Sequence, residues 1–224
     1  MSARRSPYLL IGTATLLLSA LAFIGRGRAD MVDMTGVEPW DVCGECHGLD
    51  GAGNRIKFPR LAGQKPPYII KQLFDFRAGR RKNDGGQMQK TATELEEANI
   101  PRVAEWFASQ TPPWPKLTME AAPDLARARQ LAMHGDRDAK IPACLSCHSA
   151  TSPRLLVRSV DAPRIAGQRD FYIAKELNDF REGRRGNDPD QMMTRIARRL
   201  PGDDITSLAI FLSQNPDMHE AVVP

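Results

Sequence analysis

Along most of this chain apolar residues recur three and four positions apart, the spacing of one helical face. After Tyr68 come Ile69, Leu73 and Phe76, with Gly79 placed to stop the helix. After Tyr172 come Ile173, Leu177 and Phe180, with Gly183 in the same role. Asn99 stands as a cap-like residue ahead of Val103, Trp106 and Phe107, and Asp203 or Asp204 does so ahead of Leu208, Phe211 and Leu212. Pro112 and Pro216 follow these last helices and fit their ends. A further helix is predicted from Asp124 to His134, with Gly135 as its stop. No segment sustains the alternation of a strand, so the chain is predicted to be all-α. One apolar run is different in kind. It extends from Pro7 through Ile24, follows Arg4-Arg5, and meets no acidic residue before Asp30. That is the pattern of an export signal, with cleavage favoured after the small-residue site ending at Ala29. Its length also approaches a bilayer span, so residues 7–24 could instead stay as an N-terminal anchor.

The helical pattern occurs twice. A shift that carries Pro59 onto Pro163 aligns Pro59-Arg60-Leu61-Ala62-Gly63-Gln64 with Pro163-Arg164-Ile165-Ala166-Gly167-Gln168. The same shift pairs Tyr68 with Tyr172, Phe76 with Phe180, Gly79-Arg80-Arg81 with Gly183-Arg184-Arg185, Asn83-Asp84 with Asn187-Asp188, and Gln87-Met88 with Gln191-Met192. A repeat of this size reads as two tandem domains. Between them Thr111-Pro112-Pro113-Trp114-Pro115-Lys116 favours an extended, semi-rigid segment and forbids a continuous helix. The expected division is a leader over 1–29, a first domain over 30–110, a linker over 111–122 and a second domain over 123–224.

Charge changes little in this picture. The net +4 of the 224 residues equals the charge of Arg4, Arg5, Arg26 and Arg28, all within the leader. The remainder is formally neutral, and nothing in it calls for nucleic acid.

The candidate chemistry lies in Cys43-Gly44-Glu45-Cys46-His47 and Cys144-Leu145-Ser146-Cys147-His148. Cys-x-x-Cys-His is the attachment signature of a c-type haem: two thiols form thioethers with the porphyrin, and the next histidine reaches the iron. All four cysteines are used in this way, which leaves none for a disulfide or a nucleophile. A four-cysteine zinc site would draw both pairs from one compact hairpin, and a redox dithiol would sit in a strand–turn–helix context. Neither context is visible. Two covalently bound haem c groups are therefore expected, with His47 and His148 as iron ligands.

The sixth iron position decides between electron transfer and bond chemistry. Met88 and Met192 sit in register in the two repeats, each in a polar loop between the Tyr/Phe helix and the final helix. They are the expected second ligands. Met31 and Met34 precede the first motif, and Met119 and Met133 precede the second. His134 and His219 have no counterpart in the opposite half, so His134 reads as a helix-end residue and His219 as a tail residue. Closed His/Met coordination predicts an electron carrier and no enzyme.

Taken together, Cys-x-x-Cys-His, Pro-Arg-Leu-Ala-Gly-Gln, the Tyr…Phe-Arg-x-Gly-x-Arg helix, Asn-Asp and a ligand methionine, all twice, resemble the di-haem cytochrome c4 family from Cys43 to about Gln214. The resemblance implies two cytochrome c folds facing each other, with haem propionates near the interface. It implies electron transfer in the bacterial periplasm between respiratory partners: a quinol-oxidising complex, a dehydrogenase or a terminal oxidase. Cytochrome subunits of flavocytochrome c sulfide dehydrogenases look similar, so a dedicated subunit of a dehydrogenase or oxidase complex is the alternative. A di-haem peroxidase would need one open iron. The carbonyls of Pro59 and Pro163 are expected to accept the Nδ1 hydrogens of His47 and His148. Tyr68, Tyr172, Arg77 and Arg181 are candidates for propionate or interdomain contacts. Arg80-Arg81-Lys82 and Arg184-Arg185 read as solvated charge runs. Two departures stand out. Ser149 to Arg154 lacks the glycines that follow the first motif, and the first half lacks a helix equivalent to Asp124–His134.

Overall fold

A computed structural model describes residues 36–54, 57–114, 116–117, 124–149 and 162–220. The leader, its cleavage site, the anchor alternative, Met31, Met34, Met119, Pro115 and the stretch after Ser149 lie outside these residues. Described α-helices are α1 (Asp41–His47), α2 (Pro66–Arg77), α3 (Gln87–Glu94), α4 (Ile100–Ser109), α5 (Leu125–Met133), α6 (Leu145–His148), α7 (Asp170–Glu182), α8 (Met192–Ala197) and α9 (Gly202–Gln214). Among the described residues there is no strand, only an isolated bridge between Asp136 and Ile141. None of the described helices is long and apolar enough to cross a membrane.

The halves build separate apolar clusters. In the first, α2 turns Ile69, Leu73 and Phe76 toward Ile100, Val103, Ala104 and Phe107 of α4, with Ala92 of α3 beside them. In the second, α9 packs between α5 and α7 and buries Ile205, Leu208, Phe211 and Leu212 against Ala128, Leu131, Leu145 and Ile173. Pro66 starts α2, where its missing N–H is no loss. Asp124 caps α5 by accepting from the Arg127 N–H at 2.8 Å. Asn99 precedes α4 without a side-chain cap bond, and α9 begins at Gly202, so Asp203 and Asp204 lie within its first turn rather than ahead of it. There they still complement the positive helix end.

From Val37 onward the chain clusters as one unit, and a buried polar network joins the repeats. Gln64 bonds the backbone of Arg164, donating to its carbonyl at 3.0 Å and accepting from its N–H at 2.8 Å. Gln168 does the same to the backbone of Arg60, both bonds at 2.8 Å. Arg81 donates to the hydroxyl of Tyr172 and to Glu176, while Arg185 donates to the hydroxyl of Tyr68 and to Gln72 and Glu176. Asn83 reaches Glu176 and Asp179; its repeat partner Asn187 reaches Gln72 and Asp75. Lys71 and Lys175 cross to the carbonyls of Asn187 and Asn83.

The charge-run expectation is thereby corrected. Arg80 and Arg184 are half-exposed and ion-paired to Asp75 and Asp179, but Arg81 and Arg185 are buried between the halves, each stacked on a phenylalanine of its own repeat. Tyr68 and Tyr172 do make the expected contact between halves. Arg77 does not: it donates to the carbonyls of Ala92 and Leu95 within its own half. Arg181 pairs with its neighbour Glu182.

One repeat position breaks the symmetry. Where the first half has Gln72, the second has Glu176, so two buried arginines share one carboxylate. Burial alone would raise the Glu176 pKa; the charges of Arg81, Arg185 and Lys175 outweigh it and hold the carboxyl at about 2, against an ordinary 4.5. Its folded pKa is depressed, so its stabilisation is complete above the ordinary carboxylate range and is lost as pH falls toward 2. Glu176→Ala leaves two buried guanidiniums without their carboxylate and should cost about 3–5 kcal/mol in denaturant unfolding at pH 7. The difference between the two proteins should shrink steadily on titration below the ordinary carboxylate pKa.

Candidate haem-attachment sites

Helix α1 carries Cys43, Cys46 and His47, and positions three and four apart share a helix face. In the second half Cys144 caps α6, which holds Cys147 and His148 in its single turn. Both histidines are buried. His47 Nδ1 lies 3.0 Å from the carbonyl of Pro59, and His148 Nδ1 lies 2.8 Å from that of Pro163. A carbonyl only accepts, so Nδ1 carries the hydrogen in both rings and Nε2 keeps its lone pair. Burial lowers both imidazole pKa values, and the carbonyl bond offsets this only in part. Each ring is therefore biased toward its neutral form, with Nε2 as the nitrogen left to bind a metal. Gly53 lets the chain come this close on the first side: a Cβ there would lie 2.6 Å from the Phe58 and Pro59 carbonyl oxygens.

All four cysteines are free thiols, partly buried. Burial pushes Cys43 up to about 11 and Cys144 up to about 12. In the fold Cys43 and Cys144 are neutral apolar groups packed against the two cores.

Met88 packs against the first core, and Gln87 beside it donates toward Cys46 Sγ at 3.7 Å. The start of α3 is so brought to the attachment helix. Met192 is partly buried at the start of α8. The polar loop expected around these methionines is instead the first turn of a helix. Asp84 accepts from the Met88 N–H, and Asp188 from the N–H and hydroxyl of Thr194, each at 3.1 Å. Those carboxylates satisfy donors at the helix start and convert a loop into a helix. The turns before them differ. Gly85 and Gly86 take φ of 74° and 85°; in the second half Asp190, the counterpart of Gly86, has φ 51° and is followed by Gln191 at 53°. Left-handed backbone suits glycine and strains other residues.

Two residues that sequence reasoning left without a role complete the arrangement. Arg60 donates to the carbonyls of Pro112 and Pro113, both at 2.9 Å, and stacks on Trp114 at 4.5 Å. Arg164 donates to the carbonyl of Gly63 at 2.8 Å. Both leave a buried Nε without a partner, and among the described residues neither forms an ion pair with a carboxylate. They flank a cavity of about 280 Å³ between the halves, lined also by Gln64, Trp114, Gly167 and Gln168. Their identity at the same register of both repeats was the available signal. The residues fit haem c: paired free thiols in the Cys-x-x-Cys spacing, an Nε2 lone pair on each histidine, and guanidiniums with an unpartnered buried Nε suited to propionate carboxylates.

The family model for cytochrome c matches residues 35–111. Cytochrome c4 of Pseudomonas aeruginosa is 34% identical over 88% of this chain and 94% of its own length. The thiosulfate dehydrogenase electron acceptor of Stutzerimonas stutzeri is 35% identical over 91% of this chain and 93% of its own. Among solved structures, reduced cytochrome c4 from Pseudomonas stutzeri superposes with a TM-score of 0.64 at 34% identity, covering 79% of this chain and 94% of that one. Thiosulfate dehydrogenase from Marichromatium purpuratum superposes at 0.67 with 31% identity, over 78% of this chain but only 36% of that one. With the tandem helical halves and the paired Cys-x-x-Cys-His sites, these likenesses place the chain in the cytochrome c4 family of di-haem c-type electron carriers.

Proposed function

We propose that the chain is a periplasmic di-haem relay whose irons are held by His47 with Met88 and by His148 with Met192. The division into domains over 30–110 and 123–224, joined by 111–122, belongs to the same reading. The observation that carries it is the paired Nδ1–carbonyl bond, which fixes both imidazoles in the tautomer that offers Nε2. Haem c, when bound, supplies a one-electron ferrous–ferric couple. The chain's own residues do the rest. Cys43, Cys46, Cys144 and Cys147 tether the porphyrins. Pro59 and Pro163 orient the histidines and strengthen their donation. Met88 and Met192 would hold the iron through thioether sulfur, which would raise the potential and keep exogenous ligands away. Arg60 and Arg164 offer their unpartnered Nε hydrogens to propionates, a role taken from Arg77, which is already bonded within its half.

Export fits the basic and apolar leader, since the haem is joined to such chains after they cross the membrane. The redox partners are proteins of a respiratory chain. A dehydrogenase is favoured among them, because relatives are named electron acceptors of thiosulfate dehydrogenase. A dedicated subunit of such a complex is the second reading, and a stable companion on purification would select it.

Intact mass of the purified protein should show two haems still attached after denaturation and acid-acetone extraction; colourless protein would end this reading. Met88→Ala and Met192→Ala should each remove the methionine–iron charge-transfer band of one haem from the ferric spectrum and lower one of two potentials. An unchanged spectrum would contradict the ligand assignment. Arg60→Met removes a buried positive charge and should lower one potential in a redox titration, with haem content unchanged.

A further inference from the structure

The peptide that joins Pro59 to Arg60 is bonded at both ends. Its carbonyl accepts from His47 Nδ1 at 3.0 Å, and its N–H donates to Gln168 Oε1 of the other repeat at 2.8 Å. The peptide from Pro163 to Arg164 has the same arrangement. Its carbonyl accepts from His148 Nδ1 at 2.8 Å, and its N–H donates to Gln64 Oε1 at 2.8 Å. Both peptides are trans, so carbonyl and N–H point to opposite sides of one rigid plane. A single peptide unit therefore stands between each histidine and a side chain of the opposite repeat.

The amide ends of both glutamines are fixed by their other bonds. Gln64 Oε1 also accepts from the Lys65 N–H at 3.0 Å, while its Nε2 donates to the Arg164 carbonyl at 3.0 Å. Gln168 Oε1 also accepts from the Arg169 N–H at 2.9 Å, while its Nε2 donates to the Arg60 carbonyl at 2.8 Å. Exchanging oxygen and nitrogen in either side chain would set donor against donor. Both glutamines are buried, at 7% and 8% exposure. In such surroundings hydrogen bonds in series polarise one another. An acceptor at the N–H end makes the carbonyl oxygen of the same peptide more negative. That oxygen then pulls harder on the Nδ1 hydrogen and makes Nε2 a stronger donor to a metal.

We infer that each glutamine tunes the iron of the opposite repeat: Gln64 acts through the Pro163–Arg164 peptide on His148, and Gln168 acts through the Pro59–Arg60 peptide on His47. Both are positioning residues, since neither touches the imidazole itself. The inference rests on the relay reading. A stronger donor favours the ferric iron, so each glutamine lowers the potential of the haem across the interface. The contact surface between the repeats is thereby wired to both redox centres, and the wiring is crossed.

The test is a redox titration of the holoprotein, with the Met88→Ala and Met192→Ala variants assigning each couple to its haem. Gln64→Leu removes the acceptor without changing charge and should raise the potential of the second haem, leaving the first in place. Gln168→Leu should raise the first and leave the second. Exchange of the histidine Nδ1 hydrogens with solvent, followed in the ferric NMR spectrum, should quicken at His148 in the one variant and at His47 in the other. Gln64→Glu keeps an acceptor of the same shape and should hold the second potential at or below that of the parent; it also serves where the leucine variant does not accumulate. A loosened interface would shift both haems alike, whichever glutamine is replaced, and would make the Leu and Glu variants move together. Either result, a shift confined to the haem of the substituted repeat, or no shift at all, would overturn the proposal. Protein without covalent haem would instead bring down the relay reading itself, so the two failures are distinct.

Discussion

Two guanidiniums and one carboxylate, closed away from water between the repeats, set the relation of everything else. Arg81 and Arg185 approach from opposite halves and converge on Glu176. Like charges brought together in a poorly solvated place repel strongly, and only a shared anion with full hydrogen bonding makes the arrangement tolerable. Tyr68, Tyr172, Gln72, Asn83 and Asn187 supply that bonding. The reciprocal glutamines, Gln64 and Gln168, then fix the sliding register. The orientation of α2 against α7, and hence of the two attachment motifs, follows from these few side chains.

The duplicated sites share one construction rule and differ in their covering. In both, a histidine is turned by a proline carbonyl twelve or fifteen residues on. The insertion between them in the second half leaves the bond intact, because only the carbonyl has to arrive. What diverges is the packing outside. Among the described residues, helix α5 packs Ala128 and Leu131 against Leu145 of the second motif, and the pair Trp40 and Trp106 borders the first.

Much of this was legible in the chain. The helices containing Ile69–Phe76 and Ile173–Phe180 stand where a 3.6-residue period puts them, and the haem motifs have a spacing that admits few other chemistries. The proline carbonyl contact came from the resemblance and is present in both halves. The burial of Arg81 and Arg185 was hidden, because a local reading of Arg-Arg has no means of knowing that one carboxylate, 95 residues from Arg81 and 9 from Arg185, will meet both. Arg60 and Arg164 were hidden for the same reason: their partners are the carbonyls of Pro112, Pro113 and Gly63, and backbone acceptors leave no trace in a pattern of side chains. The turn before each methionine was read as loop because the capping Asp84 and Asp188 stand several residues ahead, across a glycine or proline.

The proline stretch has a further consequence. Its carbonyls grip Arg60, and Trp114 lies against both that guanidinium and Gly167 of the opposite repeat. Over residues 111–114, where it is described, the connector bears on both repeats and opposes hinge or shear motion between them. The same contacts hold the two attachment motifs relative to each other. Were haem bound at both, electron passage between them would not wait on a swinging of the halves.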